Sequence, residues 1–96
     1  MFLLNFTSTF LSHKEKVIGN DQKLNKRLRT TLEKLAIDPK HPSLKTHKAD
    51  TKNYGEKWSS WVTGDIRIIW DYDSENRLII ILLDMGKHSG THKVYR

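Results

Sequence analysis

One stretch, WSSWVTGDIRIIWDYDSENRLIIILLDMGKH at residues 58–88, constrains the fold more than any other. β-branched and aromatic residues dominate three runs within it, 58–63, 66–72 and 78–85. Turn-forming residues separate them, Gly64-Asp65 at the first break and Asp73-Ser74-Glu75-Asn76 at the second. Such side chains suit a pleated, half-buried surface, and breaks this short allow only tight reversals. The stretch therefore predicts a meander of antiparallel strands. Alternation divides its side chains by face. Ile66, Ile68 and Trp70 share one face and read as core, whereas Asp65, Arg67 and Ile69 share the other, a polar edge. In 58–63, Trp58, Ser60 and Val62 oppose Ser59, Trp61 and Thr63, so at least one tryptophan faces away from the core. Leu78 to Leu83 is apolar on both faces, as in a central strand covered on both sides or lying next to a covering loop.

Upstream the pattern becomes helical. Residues 2–7 alternate loosely, which suits an amino-terminal strand with one buried face. Ser12 with Glu15 fits a capping box, and Ser8 could cap the same helix one turn earlier; the helix carries Phe10, Leu11, Val17 and Ile18 and stops at Gly19. Asn20 is the expected cap of a second helix, whose stripe is Leu24, Leu28, Leu32, Leu35 and Ala36. Lys23, Lys26, Arg27, Arg29 and Lys34 lie mostly off the stripe and read best as a solvated helix face. Asp38-Pro39 ends the helix, because a residue before proline is pushed out of the α region. The two helices form a hairpin to lay on the sheet. After a turn at His41-Pro42-Ser43, residues 44–48 read as a short strand with Lys45 and His47 on one face, and 49–57 as a loop. The expected fold is α+β: an amino-terminal strand, an α-hairpin, then an antiparallel meander in a four- to five-stranded sheet.

Ninety-six residues allow a single domain over 1–96 with one modest core. No cysteine is present, which removes disulfides and thiolate metal sites. Phe2-Leu3-Leu4 lacks the length and basic flank of a signal peptide or membrane span, so a soluble, cytoplasmic protein without membrane contact is expected. The net charge of +6 is unevenly placed. Residues 1–60 hold 12 Lys/Arg against 6 Asp/Glu, residues 61–84 hold 2 against 5, and residues 85–96 hold 3 and none. A basic helical half and tail favour a polyanion, nucleic acid above all, or an acidic protein partner.

Cleavage of RNA by its own 2′-hydroxyl needs a base, an acid for the leaving 5′-oxygen, and donors for the charge that builds on phosphorus. Histidine suits the proton transfers and arginine the phosphate. The chain offers His47, Asp65, Arg67, His88 and His92, with Lys45 and Lys87 close by in sequence. His88 and His92 have the spacing of a helical zinc pair, but Ser89-Gly90 between them is poor helix and no third ligand follows. No metal and no other cofactor is expected.

Three segments, LEKLAIDPKHPSLKTHK at 32–48, WSSWVTGDIRIIWDYD at 58–73 and LLDMGKHSGTHKVYR at 82–96, carry a resemblance to the RelE/ParE superfamily of bacterial type II toxins. The order strand, two helices, meander matches as well, and the likeness is strongest to the RelE and YafQ branch. The resemblance implies a RelE-like fold and an mRNA interferase that enters the ribosomal A site, cuts messenger RNA, and is held inactive by a cognate acidic antitoxin. It further implies a monomer when alone and a hetero-oligomer with the antitoxin. YafQ-like members have an acidic residue where Asp65 stands and histidines where His47 and His88 stand; RelE has an arginine at Arg67 and a carboxyl-terminal tyrosine matching Tyr95. YafQ-like members also have a histidine where Trp61 stands. Because tryptophan transfers no proton, the acid–base work falls here on His47, Asp65 and His88. In the implied roles Arg67 and Lys45 bind the scissile phosphate, His88 is the acid, and Asp65 or His47 is the base or orients it. Trp61 and Tyr95 position bases. Lys45, Lys48, Trp61, Lys87 and His92 make up the expected RNA-binding set. Two other readings follow from the same superfamily: a ParE-like gyrase inhibitor that cuts nothing, and a degenerate module that only binds antitoxin.

Overall fold

In a computed structural model that describes residues 1–96, the chain runs through β1 (Leu3–Phe6), α1 (Ser8–Val17), α2 (Gln22–Ile37) and a 3-10 turn (Pro42–Leu44). Four strands follow: β2 (His47–Thr51), β3 (Gly55–Trp61), β4 (Ile66–Tyr72) and β5 (Ile79–Lys87). They form one five-stranded sheet in the order β1-β5-β4-β3-β2. The meander is antiparallel throughout, and β1 joins it parallel to β5, which makes β5 an interior strand. The expected α+β architecture is present.

Local chemistry sets the helix ends. Thr7 caps α1 by accepting from the Phe10 amide, while its hydroxyl donates to the Leu82 carbonyl at 2.8 Å. The helix start is thereby tied to β5, and the expected Ser12–Glu15 box lies inside the helix. Gly19, at φ +54°, turns the chain after α1. Asp21 rather than Asn20 caps α2, accepting from the Leu24 amide at 3.1 Å. Asp38 is extended and ends α2 before Pro39, as expected.

Residues 44–48 depart from the expectation. Leu44 completes the 3-10 turn and is buried, and Lys45 is left-handed at φ 52°, so β2 begins only at His47. Lys45 and His47 therefore share no strand face. The expected loop at 49–57 is a hairpin instead. Thr51 Oγ1 donates to the Gly55 carbonyl at 2.7 Å and accepts from the Tyr54 amide at 3.1 Å, closing a turn that reverses the chain. β2 reads as polar because it is an edge strand, where side chains and backbone both meet water.

The helices cover one face of the sheet, where Phe10, Leu28 and Leu35 meet Ile68, Trp70, Ile80 and Leu82. Trp70 Nε1 donates to Ser60 Oγ at 2.9 Å, which satisfies the one polar atom this ring buries. The opposite face, which carries the expected polar edge, is largely covered as well, as the two apolar faces of 78–83 implied. Arg67 and Ile69 are buried there, because the segment after β5 crosses back over the sheet. The Val94 amide donates to the Lys87 carbonyl, the Lys52 amide to the Val94 carbonyl, and the Arg96 amide to the Asp50 carbonyl. The tail thus spans from β5 to β2 over the strands between them. A bulge at Ile69/Trp70 leaves Leu83 unpaired, so that Leu82 pairs with Trp70 and Asp84 with Ile69. No helix is long and apolar enough to cross a membrane.

Candidate active site

Residues paired across antiparallel strands project to the same side, so the register defines the tail-covered face. One row across it is His47, Ser59, Ile69 and Asp84; the next is Trp61, Arg67 and Gly86. The tail returns over these rows and places Tyr95 against them. Tyr95 Oη lies 2.6 Å from Ser59 Oγ, and its ring meets the His88 ring edge-on at 5.5 Å. The His88 amide donates to the Asp65 carbonyl at 2.8 Å, which sets Asp65 and His88 side by side at the mouth of β4 and β5. Both side chains are exposed, as is His47.

The glycine at 86 makes this arrangement possible. A Cβ there would lie 2.3 Å from both the His92 carbonyl oxygen and Val94 Cγ1, so only a glycine lets the tail lie this close. Past Lys87 the chain turns through Gly90 and His92, both at positive φ. His92 therefore sits in a turn, and the helical geometry of a zinc pair with His88 does not arise.

Arg67 is the least ordinary group on this face. The residue is 3% exposed, and its guanidinium lies 4.1 Å from the centre of the Trp61 ring. Nη1 donates to the Thr63 carbonyl at 2.8 Å, while Nε is buried with no acceptor. None of the ion pairs in the molecule includes Arg67. A guanidinium removed from water and held only by carbonyls and a π face is unusual, because desolvation is normally offset by a carboxylate. An anion placed at this position would supply what the fold leaves out.

The His47 ring shows which nitrogen is free. Nδ1 lies 2.8 Å from the Lys45 carbonyl oxygen, which can only accept, so Nδ1 carries the proton and the neutral ring presents Nε2 as a base. The face thus brings together His47, Asp65, Arg67, His88, Tyr95 and Trp61 from the expected set. Lys48 pairs with Trp58 and shares its face on the helix side, with Nζ 4.7 Å from that ring. Lys87 pairs with Ile66, again on the helix side. Lys45 is exposed beside His47 but outside any strand.

Two groups escaped the sequence reading. Ser59, fully buried, anchors Tyr95. His13 of α1 lies with Nδ1 2.5 Å from Asp84 Oδ1, across 71 residues of sequence. The pair borders a small cavity of about 260 Å³ that Lys52 and His92 also line. Asp84 in an apolar run was the available signal, since a carboxylate is rarely buried without a partner.

No protein-family profile matches the sequence, and no curated protein does. Solved structures do match. The conserved hypothetical protein HP0894 from Helicobacter pylori is 22% identical, with a TM-score of 0.65 over 92% of this chain and 96% of that one. YafQ from E. coli is 12% identical, with a TM-score of 0.66 over 91% and 93%. The YoeB–YefM complex from Staphylococcus aureus matches at 14% identity and a TM-score of 0.67 over 94% and 99%. The fold is that of the RelE, YoeB and YafQ toxins.

Proposed function

We propose that this chain is the toxin of a type II toxin–antitoxin pair and an mRNA endoribonuclease that works in the ribosomal A site of the bacterial cytoplasm. The observation that carries the reading is Arg67, a buried cation with an unpaired Nε and no carboxylate, on the face that also holds His47, Asp65, His88 and Tyr95. The shared fold supports it, and the YoeB–YefM complex is a precedent for a protein partner on this fold.

In the proposed reaction the scissile phosphate meets Arg67. His47 Nε2 or the Asp65 carboxylate takes the 2′-hydroxyl proton, the 2′-oxygen bonds to phosphorus, and the P–O5′ bond breaks. His88, protonated, gives its proton to the leaving 5′-oxygen. The products are a 2′,3′-cyclic phosphate and a free 5′-hydroxyl. Arg67 stabilises the charge gained on phosphorus, the contribution that such preorganised donors make most strongly in a dry site. Tyr95 and Trp61 hold the flanking bases, and an acidic antitoxin neutralises the basic chain.

Replacing His88 by Ala should abolish growth inhibition at equal expression while antitoxin binding persists, and primer extension after brief induction should show cuts within translated messages for the parent only. Full toxicity of the variant removes His88 from the mechanism. Intact mRNA with a DNA-damage response would instead establish the gyrase-inhibitor reading.

A further inference from the structure

A second feature lies beside the candidate active site and is not used by it. Between α2 and the end of β3 runs a groove of about 660 Å³. Its cationic wall comes from α2, with Lys23, Lys26, Arg27 and Lys34, and its opposite wall is formed by Trp61 to Thr63. Lys23, Arg27 and Lys34 follow one helical stripe, spaced four and then seven residues apart, and the stripe extends over ~16 Å. No Asp or Glu lines the groove.

The four cations have no anionic partner anywhere in the molecule, since its ion pairs involve His13, Lys57 and Arg96. Lys34 Nζ donates to Ser43 Oγ at 3.1 Å and Arg27 Nη2 to the Val62 carbonyl at 3.4 Å, so two of them are turned into the groove by neutral acceptors. A solvated helix face would scatter its charges, with acids among them. This one concentrates a single sign along a walled channel, where low-dielectric sides focus the field.

Trp61 connects the channel to the chemistry, because the residue lines the groove and its ring lies against the Arg67 guanidinium. We infer that the groove is a track for the phosphate backbone of single-stranded RNA, continuous past Trp61 with the face that holds Arg67. The inference rests on the endoribonuclease reading and adds where the strand runs beyond the cut. A cationic channel ending at an aromatic ring is the usual construction for a single strand, with charge following the backbone and a π face receiving a base.

The test uses the full chain and a fluorescent single-stranded RNA dodecamer with 2′-O-methyl sugars, which cannot be cut by 2′-hydroxyl attack. The triple variant Lys23→Gln/Arg27→Gln/Lys34→Gln is compared with Lys16→Gln/Arg29→Gln/Arg77→Gln, which removes the same charge elsewhere. With thermal melting confirming that both fold, the groove variant should lose on the order of 10- to 100-fold in affinity, and its salt slope should fall by about 2, as for three lost phosphate contacts on a single strand. The control should lose far less. Equal losses in the two variants, or no binding by the parent chain, overturn the inference. So does undiminished RNA affinity combined with weakened binding of an acidic antitoxin, which would make the groove a protein site. Cleavage of messages by the parent chain is read separately, so the endoribonuclease reading can survive the loss of the groove.

Discussion

The Arg67 guanidinium lies 4.1 Å from the ring of Trp61, its partner across β3 and β4, and no carboxylate neutralises it. A cation–π contact of this kind contributes on the order of 1–2 kcal/mol when desolvated, less than burying an unpaired charge costs. Arg67→Met should therefore leave stability within about 2 kcal/mol of the parent, or raise it, since it exchanges a strained charge for an apolar chain of similar reach. Cleavage should drop by at least ~100-fold, the typical effect of removing one preorganised donor. Urea unfolding and an mRNA cleavage assay in translating extract measure the two. A collapse in stability would make Arg67 a structural clamp instead.

The tail that completes the site depends on Gly86. Gly86→Ala places a methyl group 2.3 Å from the His92 carbonyl oxygen and from Val94 Cγ1, and neither can move without lifting the tail. The expected loss is about 1–3 kcal/mol, in the range of overpacked cores. Amide exchange should quicken first at Lys52 and Arg96, whose amides bond the tail to the β2 side. Unchanged protection there would show that the tail docks without needing this close approach.

The meander was legible because period-two alternation and turn residues act locally: of the expected runs 58–63, 66–72 and 78–85, the second is β4 as drawn, while β3 ends at Trp61 and β5 begins at Ile79. The stripe of α2 was legible for the same reason. What the pattern could not carry was tertiary. Residues 44–48 resembled a strand in composition, but Pro42 and the burial of Leu44 made a 3-10 turn there. Arg67 read as part of a polar edge, and nothing local announces that the tail will cover it. The Ser59 anchor and the identity of the partner of Asp84 were hidden for that reason too, the two contacts spanning 36 and 71 residues of sequence. Of the candidate site, Asp65 and Arg67 followed from alternation, His47 and His88 from the proton chemistry of their side chains and then from resemblance, and Tyr95 only from resemblance.

On the helix side, Lys40 Nζ sits 3.2 Å from the centre of the Trp58 ring, with Lys48 over the same ring. Lys40 is exposed, but partial desolvation lowers its pKa, and repulsion from Lys48 lowers it further. The unfolded chain therefore holds this proton more tightly than the folded one. The folded state is least favoured while both forms are protonated, and gains stability as pH rises through the folded pKa toward the ordinary lysine value. Lys48→Gln should raise the Lys40 pKa only part of the way, because the partial desolvation remains. Titration of the Lys40 Cε resonance measures it, and an unmoved midpoint would eliminate Lys48 as a cause.

The Tyr95–Ser59 contact separates an anchor from a catalytic group. Ser59 is fully buried, so Tyr95→Phe leaves its hydroxyl without a partner at a cost of about 1–3 kcal/mol, whereas Ser59→Ala leaves a half-exposed phenol that water can serve. The double variant should therefore be less destabilised than the sum of the two, with a coupling of about 0.5–1.5 kcal/mol. Cleavage should follow a different order. Phenylalanine keeps the ring edge against His88, so Tyr95→Phe and the double variant should retain activity within about tenfold of the parent, while Tyr95→Ala, which removes the ring, should lose far more. If the phenylalanine variant is as inactive as the alanine one, the Tyr95 hydroxyl takes part in the reaction itself, and the proton transfers assigned to His88 must be shared with it.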